Sequence, residues 1–380
     1  MARSAAKTGR CQIMTRIGFI IRGYNGKSQY HHANVKPFVD LSYGLKSIGE
    51  DPILFVEESE RHLNEKINSI TRGRVPLIYF NFSNLEKLLN ENPVSHIVVE
   101  DNIELMKRTI NFQKNGFKMA VFLQYLFGVN TNRRDKRTRS MALTIGSNIP
   151  WKFLIKKYRD LLTKFDYIVS NSQTCGYLAR QFYDVPVAGT VYPPVGMDMR
   201  PILEKMELPD EKRGIFVFAG NIENDYFSKD LKGEIAALVR ELDEPVKLLV
   251  SNPDTASYFS RSGIETYSNL SVSDLVRLYR GSKVTYVPTV YELFGYVGAE
   301  SLLCGTPVIL DTYHPFLESV PMNANAVAIA HPKSRISDVF LQMIDGKADV
   351  ERAKRSIYEG YSAEESARSL LKAIEASHPA

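Results

Sequence analysis

Apolar residues along this chain of 380 residues gather in short runs separated by longer stretches with helical spacing. In the first half RIGFII (16–21) reads as a strand, VKPFVDLSYGLKSIG (35–49) as a helix ending at Gly49, and DPILFVEE (51–58) as a second strand. A helix over 83–92, a strand over HIVVE (96–100), a helical stretch over 103–116 and a strand over KMAVFLQY (118–125) follow. A long basic helix over 150–165 leads into YIVSN (167–171). Short strands rich in Val, Ile and Phe that alternate with amphipathic helices predict a parallel sheet covered on both faces.

The second half repeats this grammar. GIFVFAG (214–220), VKLLVS (246–251), KVTYVP (283–288), PVIL (307–310) and AVAIA (326–330) read as strands. Helices are predicted over 230–242, over 273–281 with Ser273 as the N-cap, and near 296–304. Between the halves TVYPPVGMDMRP (190–201) carries three prolines, which suit an extended crossing segment. The fold class is therefore α/β, with two Rossmann-like doubly wound domains and a cleft between their strand C-terminal ends, where ligands of such sheets bind.

Composition narrows the class. The length suits two domains, and 44% hydrophobic with 24% charged residues is an ordinary globular balance. No apolar run reaches the roughly 18–20 residues that span a bilayer, and the N-terminus lacks the apolar region of a secretory signal. Cys11, Cys175 and Cys304 are odd in number and far apart, which argues for reduced thiols in a cytosolic setting and against a CxxC zinc site. A net charge of +5 establishes no polyanionic partner.

RIGFIIRGYNGKS (16–28) ends like a phosphate-binding loop, and SHIVVED (95–101) like its acidic strand. The loop needs G-x-x-x-x-G-K-[ST], and its first glycine would fall at position 21, which is Ile21 inside the strand. The loop is too short to wrap a phosphate, so a triphosphatase is set aside. A better anion site lies in VPTVYELFGYVGAESLLCGTPVIL (287–310), where a loop with Glu292 precedes a helix beginning near Phe294 and Gly295. Small residues Gly298 and Ala299 in its first turn would leave amides open to an anion. Glu292 and Glu300 beside that anion call for hydroxyl partners, and an anion pocket with two hydroxyl acceptors describes a nucleotide sugar.

Glu292-x-Phe294-Gly295-x4-Glu300 followed by Cys304-Gly305-Thr306-Pro307-Val308 resembles the E-x-F-G-x4-E signature of retaining glycosyltransferases of family 4, which have the GT-B fold. FDYIVSNSQTCGYL (165–178), VYPPVGMD (191–198), FVFAGNI (216–222) and the stretch 270–289 resemble further segments of that family. The resemblance implies that Glu300 accepts from the donor ribose and Glu292 from donor-sugar hydroxyls, with the amides near Phe294 and Gly295 on the diphosphate. Gly220, Asn221 and Leu270 fall in its nucleotide-binding segments. The family's phosphate-binding Arg is replaced by Asn221, and its Lys is Lys229, with Lys232 as the alternative. Glu292 and Lys229 are thus the implied catalytic pair. The first loop, with Gly23, Tyr24, Asn25 and Gly26, would lie beside the reacting sugar. Gln124 stands where the family often has a histidine; Tyr24, Asn25 and Gln124 are acceptor-side candidates, and His31, His32 and His314 are read as structural.

The resulting division is a basic tail over 1–15, an acceptor-side domain over 16–195, a nucleotide-sugar domain over 196–355, and a final helix in 356–380 packing back on the first domain. No strict Asp-x-Asp triplet occurs, in keeping with the metal independence the resemblance implies, and no cofactor is expected beyond the donor substrate. YPPV (192–195) resembles some mannosyltransferases and makes GDP-mannose a candidate donor. In PWKFLIKKYRDLLTKF (150–165) an apolar stripe is flanked by Lys152, Lys156, Lys157, Arg159 and Lys164, and NRRDKRTR (132–139) precedes it. The plain reading is a helix packed on the sheet. The sharper one is peripheral membrane contact through 132–165, at the cytoplasmic face, suiting a glycan or lipid-linked acceptor. The basic residues are not interleaved with stacking aromatics, so no nucleic acid is expected. The rival readings are a nucleotide-sugar epimerase of similar build and a non-catalytic sugar-nucleotide or membrane-binding protein.

Overall fold

In the computed structural model the described residues are 16–22, 35–124, 126, 151–207, 209, 211–220, 231–250, 256, 259–260, 264–289, 291–321, 324–331, 334–346 and 348–377. Strands β1 (Ile17–Ile21), β2 (Ile53–Glu57), β3 (Leu77–Phe80), β4 (His96–Glu100), β5 (Lys118–Leu123), β6 (Tyr167–Ser170) and β7 (Gly189–Thr190) form one parallel sheet in the order β3-β2-β1-β4-β5-β6-β7. β1 and β4 are buried at every position because helices cover both faces, which is why IGFII of β1 and the central IVV of β4 read as apolar runs.

The helices of this half are α1 (Lys36–Ser47), α2 (Asn64–Thr71), α3 (Leu85–Glu91), α4 (Ile103–Thr109), α5 (Trp151–Leu162) and α6 (Gln173–Tyr183). The predicted helical stretch over 103–116 divides: α4, capped by Asn102, gives way to a 3-10 helix over Ile110–Asn115. Thr109 bonds back to the Leu105 carbonyl at 2.9 Å, a contact that bends helices. Sequence reading also missed the helical region 58–71 and strand β3, whose LIYF is a partly exposed edge. The described part of the basic helix turns Tyr158, Leu161 and Leu162 into the core and Lys156, Lys157 and Arg159 outward. Residues 132–139 lie outside the described residues.

The second sheet comprises β8 (Ile215–Gly220), β9 (Val246–Val250), β10 (Glu265–Tyr267), β11 (Val284–Val287), β12 (Val308–Leu310) and β13 (Val327–Ile329), all parallel, in the order β10-β9-β8-β11-β12-β13. Its helices are α7 (Arg200–Leu203), α8 (Leu231–Glu241), α9 (Val272–Arg280), α10 (Tyr296–Leu303), α11 (Ile336–Asp345) and α12 (Val350–Gly360). The N-cap of α9 is Ser271, not Ser273: its hydroxyl accepts from the Asp274 amide at 3.1 Å, so Ser273 already lies in the first turn. Both sheets share the doubly wound order, with switch points between β1 and β4 and between β8 and β11. Two such Rossmann-like units constitute the GT-B architecture.

The chain passes between the units twice. The crossing over 190–201 is extended only at first, since Gly196–Met199 turns and α7 starts at Arg200. The return comes at Tyr361–Ser362, after which α13 (Ala363–Ala376) packs on α1 and β7 in the first unit. A Cβ at position 44 would stand 2.0 Å from the Ala363 carbonyl oxygen, so only glycine allows α13 to start there. Among the described residues no helix is long and apolar enough to cross a membrane.

Candidate functional site

At the switch point of the second sheet, β11 delivers the loop Tyr291–Gly295 and then α10. Its apolar members fix it from beneath. Phe294 is buried and stacks edge-on to Tyr296 and Tyr361, with ring centroids at 5.0 and 5.3 Å. Its carbonyl accepts from the Phe316 amide at 2.9 Å. Helix α10 starts at Tyr296, where the reading of a helix near 296–304 has it and just after the Phe294–Gly295 start read from the motif. Gly295 is its N-cap, with φ +93°, and a Cβ there would lie 2.5 Å from His314 Nδ1. Both the left-handed backbone and the close approach demand glycine.

No side chain caps this helix, so the first amides of α10 have no helical partner. Gly298 and Ala299, however, are small for another reason than expected. Both are buried, and a Cβ on Gly298 would meet the Phe316 ring at 2.6 Å. Their small size serves packing.

Glu292 is partly accessible, and burial pushes its carboxyl up to about 7 against a hydrogen bond from Thr289. Thr289 Oγ1 also lies 2.9 Å from His314 Nε2. His314 is fully buried and burial lowers it to about 3, so it is neutral at physiological pH and supports the loop from behind. With its hydrogen on Nε2, His314 can donate to Thr289 while Thr289 donates to Glu292.

Glu300, in the second turn of α10, is 6% exposed. It faces a buried group of charges drawn from three parts of the chain. Lys36 Nζ of α1 lies 3.5 Å from Asp40, 3.7 Å from Asp198 of the crossing segment and 4.0 Å from Glu300. Lys66 of α2 reaches Asp198 at 3.2 Å. Burial raises Glu300 to about 7, and Lys36 opposes that rise while Asp198 and Asp40 add to it. Burial works against the charge of Lys36, but the three carboxylates outweigh it and raise its pKa. Sequence reasoning missed Lys36, Asp40 and Lys66. The local signal was a Lys–Asp pair at i, i+4 in the first turns of a helix whose neighbouring positions Phe38, Val39 and Leu41 are apolar.

The other expected site residues are spread around these. Gly220 ends β8 just after a register shift, and Leu270 is partly buried against a cluster with Phe216, Tyr279 and Cys304. Gln124, just after β5, is buried and its backbone amide donates to Asp101 Oδ1 at 3.0 Å. Lys232 is exposed on α8. Gly23, Tyr24, Asn25, Gly26, His31, His32, Asn221 and Lys229 lie outside the described residues. Among the described residues no cluster of His, Cys, Asp and Glu forms a metal site.

Comparison with known proteins adds to this geometry. Residues 200–363 match the family of glycosyl transferases, group 1. The chain is 30% identical over 170 residues to the D-inositol 3-phosphate glycosyltransferase of Segniliparus rotundus, covering 39% of this chain and 37% of the relative. It is 30% identical over 94 residues to an uncharacterized glycosyltransferase of Methanocaldococcus jannaschii, covering 23% of this chain and 24% of the relative. The matched part thus spans between about a quarter and about two fifths of these curated relatives. Solved structures share the fold over nearly the whole chain. A glycosyltransferase of Rickettsia africae superposes with TM-score 0.68 at 13% identity, covering 97% of this chain and 100% of that one. Anabaena HepE in complex with UDP gives 0.66 at 10%, covering 95% and 100%. The UDP-GlcNAc 2-epimerase of Neisseria meningitidis gives 0.59 at 11%, covering 95% and 100%.

Proposed function

We propose that this chain is a retaining glycosyltransferase that moves a sugar from a nucleotide diphosphate to an acceptor hydroxyl. The observation that carries the reading is the match over residues 200–363, which contains Glu292 and Glu300, on a GT-B fold that sets the Glu292 loop at a switch point. The same fold serves an epimerase in Neisseria, so the fold alone does not choose the reaction; the sequence match favours transfer.

In this reading the bond between the anomeric carbon and the phosphate oxygen breaks, and the acceptor oxygen takes its place on the same face. The acceptor proton passes to the departing phosphate. Uncapped amides of α10 and Lys229 stabilise the negative charge that develops on the leaving diphosphate. Glu292 holds donor-sugar hydroxyls, and Glu300 holds the ribose. Neither role needs a metal or a further cofactor. UDP bound to Anabaena HepE is a precedent for the donor class; GDP-mannose is the first donor to try. The outward lysines of α5 suit an anionic membrane surface and a glycan or lipid-linked acceptor.

The test is a transfer assay over a panel of nucleotide sugars, preceded by a thermal-shift screen for the donor. Proton NMR of the product should show the donor's anomeric configuration. An inverted linkage rejects the retaining mechanism, and a free epimerised nucleotide sugar as sole product rejects transfer.

A further inference from the structure

Glu318 lies in the second unit, in a 3-10 helix over Pro315–Ser319, yet its hydrogen-bond partners belong to the first unit and to the crossing segment. Its carboxylate accepts from the Gln173 and Thr174 amides at 2.8 Å each, and from the Thr174 hydroxyl at 2.7 Å. It also accepts from the Tyr192 hydroxyl at 2.7 Å. The two amides are orphan donors at the N-terminus of α6, where a negative charge is favoured.

The cap of that same helix turns back to the loop that carries Glu292. Ser172 is the N-cap, accepting from the Cys175 amide at 3.0 Å and donating its single hydroxyl proton to the Leu293 carbonyl at 2.9 Å. Leu293 adjoins Glu292, and the next carbonyl, of Phe294, is held by the Phe316 amide from the 3-10 helix that bears Glu318. The contacts close a ring: Leu293 to Ser172, the start of α6 to Glu318, and Phe316 back to Phe294. Half of the ring comes from each unit.

We propose that Glu318 is a positioning residue that fixes the Glu292 loop by joining the two units through the N-terminus of α6. The inference rests on reading Glu292 as a ligand of the donor sugar. If the ring breaks, the loop loses its hydrogen-bonded hold from the first unit and keeps only the apolar packing of Tyr291 and Leu293 there. The nucleotide ligands on α10 keep theirs, because Ala299, Leu302 and Leu303 anchor that helix in the core of the second unit.

The test uses the full-length protein with Glu318→Gln, Ser172→Ala and the double variant. Hydrogen–deuterium exchange of a peptide spanning 291–297 should run at least tenfold faster in each single variant. The double variant should be no faster than the larger of the two. In the transfer assay kcat should fall about tenfold with the donor KM within about twofold. Unchanged exchange at 291–297, or effects that multiply in the double variant, overturns the proposal, as does a raised donor KM at constant kcat. Should Glu318→Gln fail to fold, Ser172→Ala decides alone by the same exchange criterion. A wild-type protein that transfers no sugar would reject the proposed function while the exchange result still decides on the ring.

Discussion

Replacing Lys36 by Met removes the ammonium that three buried carboxylates share. The side chain keeps its volume, so the effect is electrostatic. Lys36 is 1% exposed, and Asp40, Asp198 and Glu300 lie within 4.0 Å of its Nζ. Lys66 also reaches Asp198, at 3.2 Å. Removing one partner of a buried ion pair costs roughly 3–5 kcal/mol, because the ammonium no longer offsets the burial of the carboxylates around it. Part of that cost can be escaped by protonation, which gives the pH signature. Glu300 stands at about 7, above its ordinary 4.5. The native state therefore binds more protons than the unfolded state between those values. Its contribution is fully present below about 4.5 and is lost as pH rises through 7. Without Lys36 the carboxyl moves higher still, and the stability gap between variant and wild type widens above pH 7 by about 1.4 kcal/mol per unit of further rise. Urea denaturation at pH 6 and pH 8.5 measures both values. A loss below 1 kcal/mol at pH 8.5, or one that is equal at the two pH values, would refute the reasoning.

Four further outcomes follow from the site. Glu300→Ala should weaken nucleotide-sugar binding by about 1–3 kcal/mol through loss of the ribose acceptor; unchanged affinity in calorimetry would remove Glu300 from the site. Glu292→Gln should leave binding of free nucleoside diphosphate intact while transfer falls by an order of magnitude or more, since charge-assisted bonds to sugar hydroxyls are roughly twice as strong as neutral ones. Burial raises Glu292 to about 7, so wild-type transfer should decline as pH falls below that value and the carboxylate takes a proton; a flat profile from pH 5.5 to 8 contradicts it. Gly295→Ala must both adopt φ +93° and displace His314, so a loss of at least about 2 kcal/mol in stability is expected, and a melting curve equal to wild type would show that the loop gives way at no cost.

The two-sheet plan could be read from sequence because fully buried parallel strands read as apolar runs, as in IGFII of β1 and the IVV at the centre of β4. The Glu292–Glu300 spacing likewise placed the loop and helix, since both lie within one short stretch. What could not be read was the role of contacts made across the fold. Glu318 meets Thr174 over a separation of 144 residues, and Ser172 meets Leu293 over 121. Neither spacing leaves a mark in the local pattern. Gly298 was misjudged for the same reason, because the Phe316 ring that demands a glycine there comes from beyond the next strand. The Ser271 cap was missed by two positions because Ser271 and Ser273 are chemically alike, and only the backbone at Ser271, extended at ψ 159°, separates them.

The return of α13 to the first unit also bears on how the protein is made. Leu370, Ala373 and Ile374 fill the same core as Phe19, Phe38 and Val98, and the residues that supply them leave the ribosome only after the entire second sheet. The N-terminal sheet therefore waits with an open apolar face while the C-terminal sheet completes its own core. Order of synthesis therefore cannot complete the first unit before the second has been made. The unit made first is finished last, and in the interval its uncovered face is the surface a chaperone would hold.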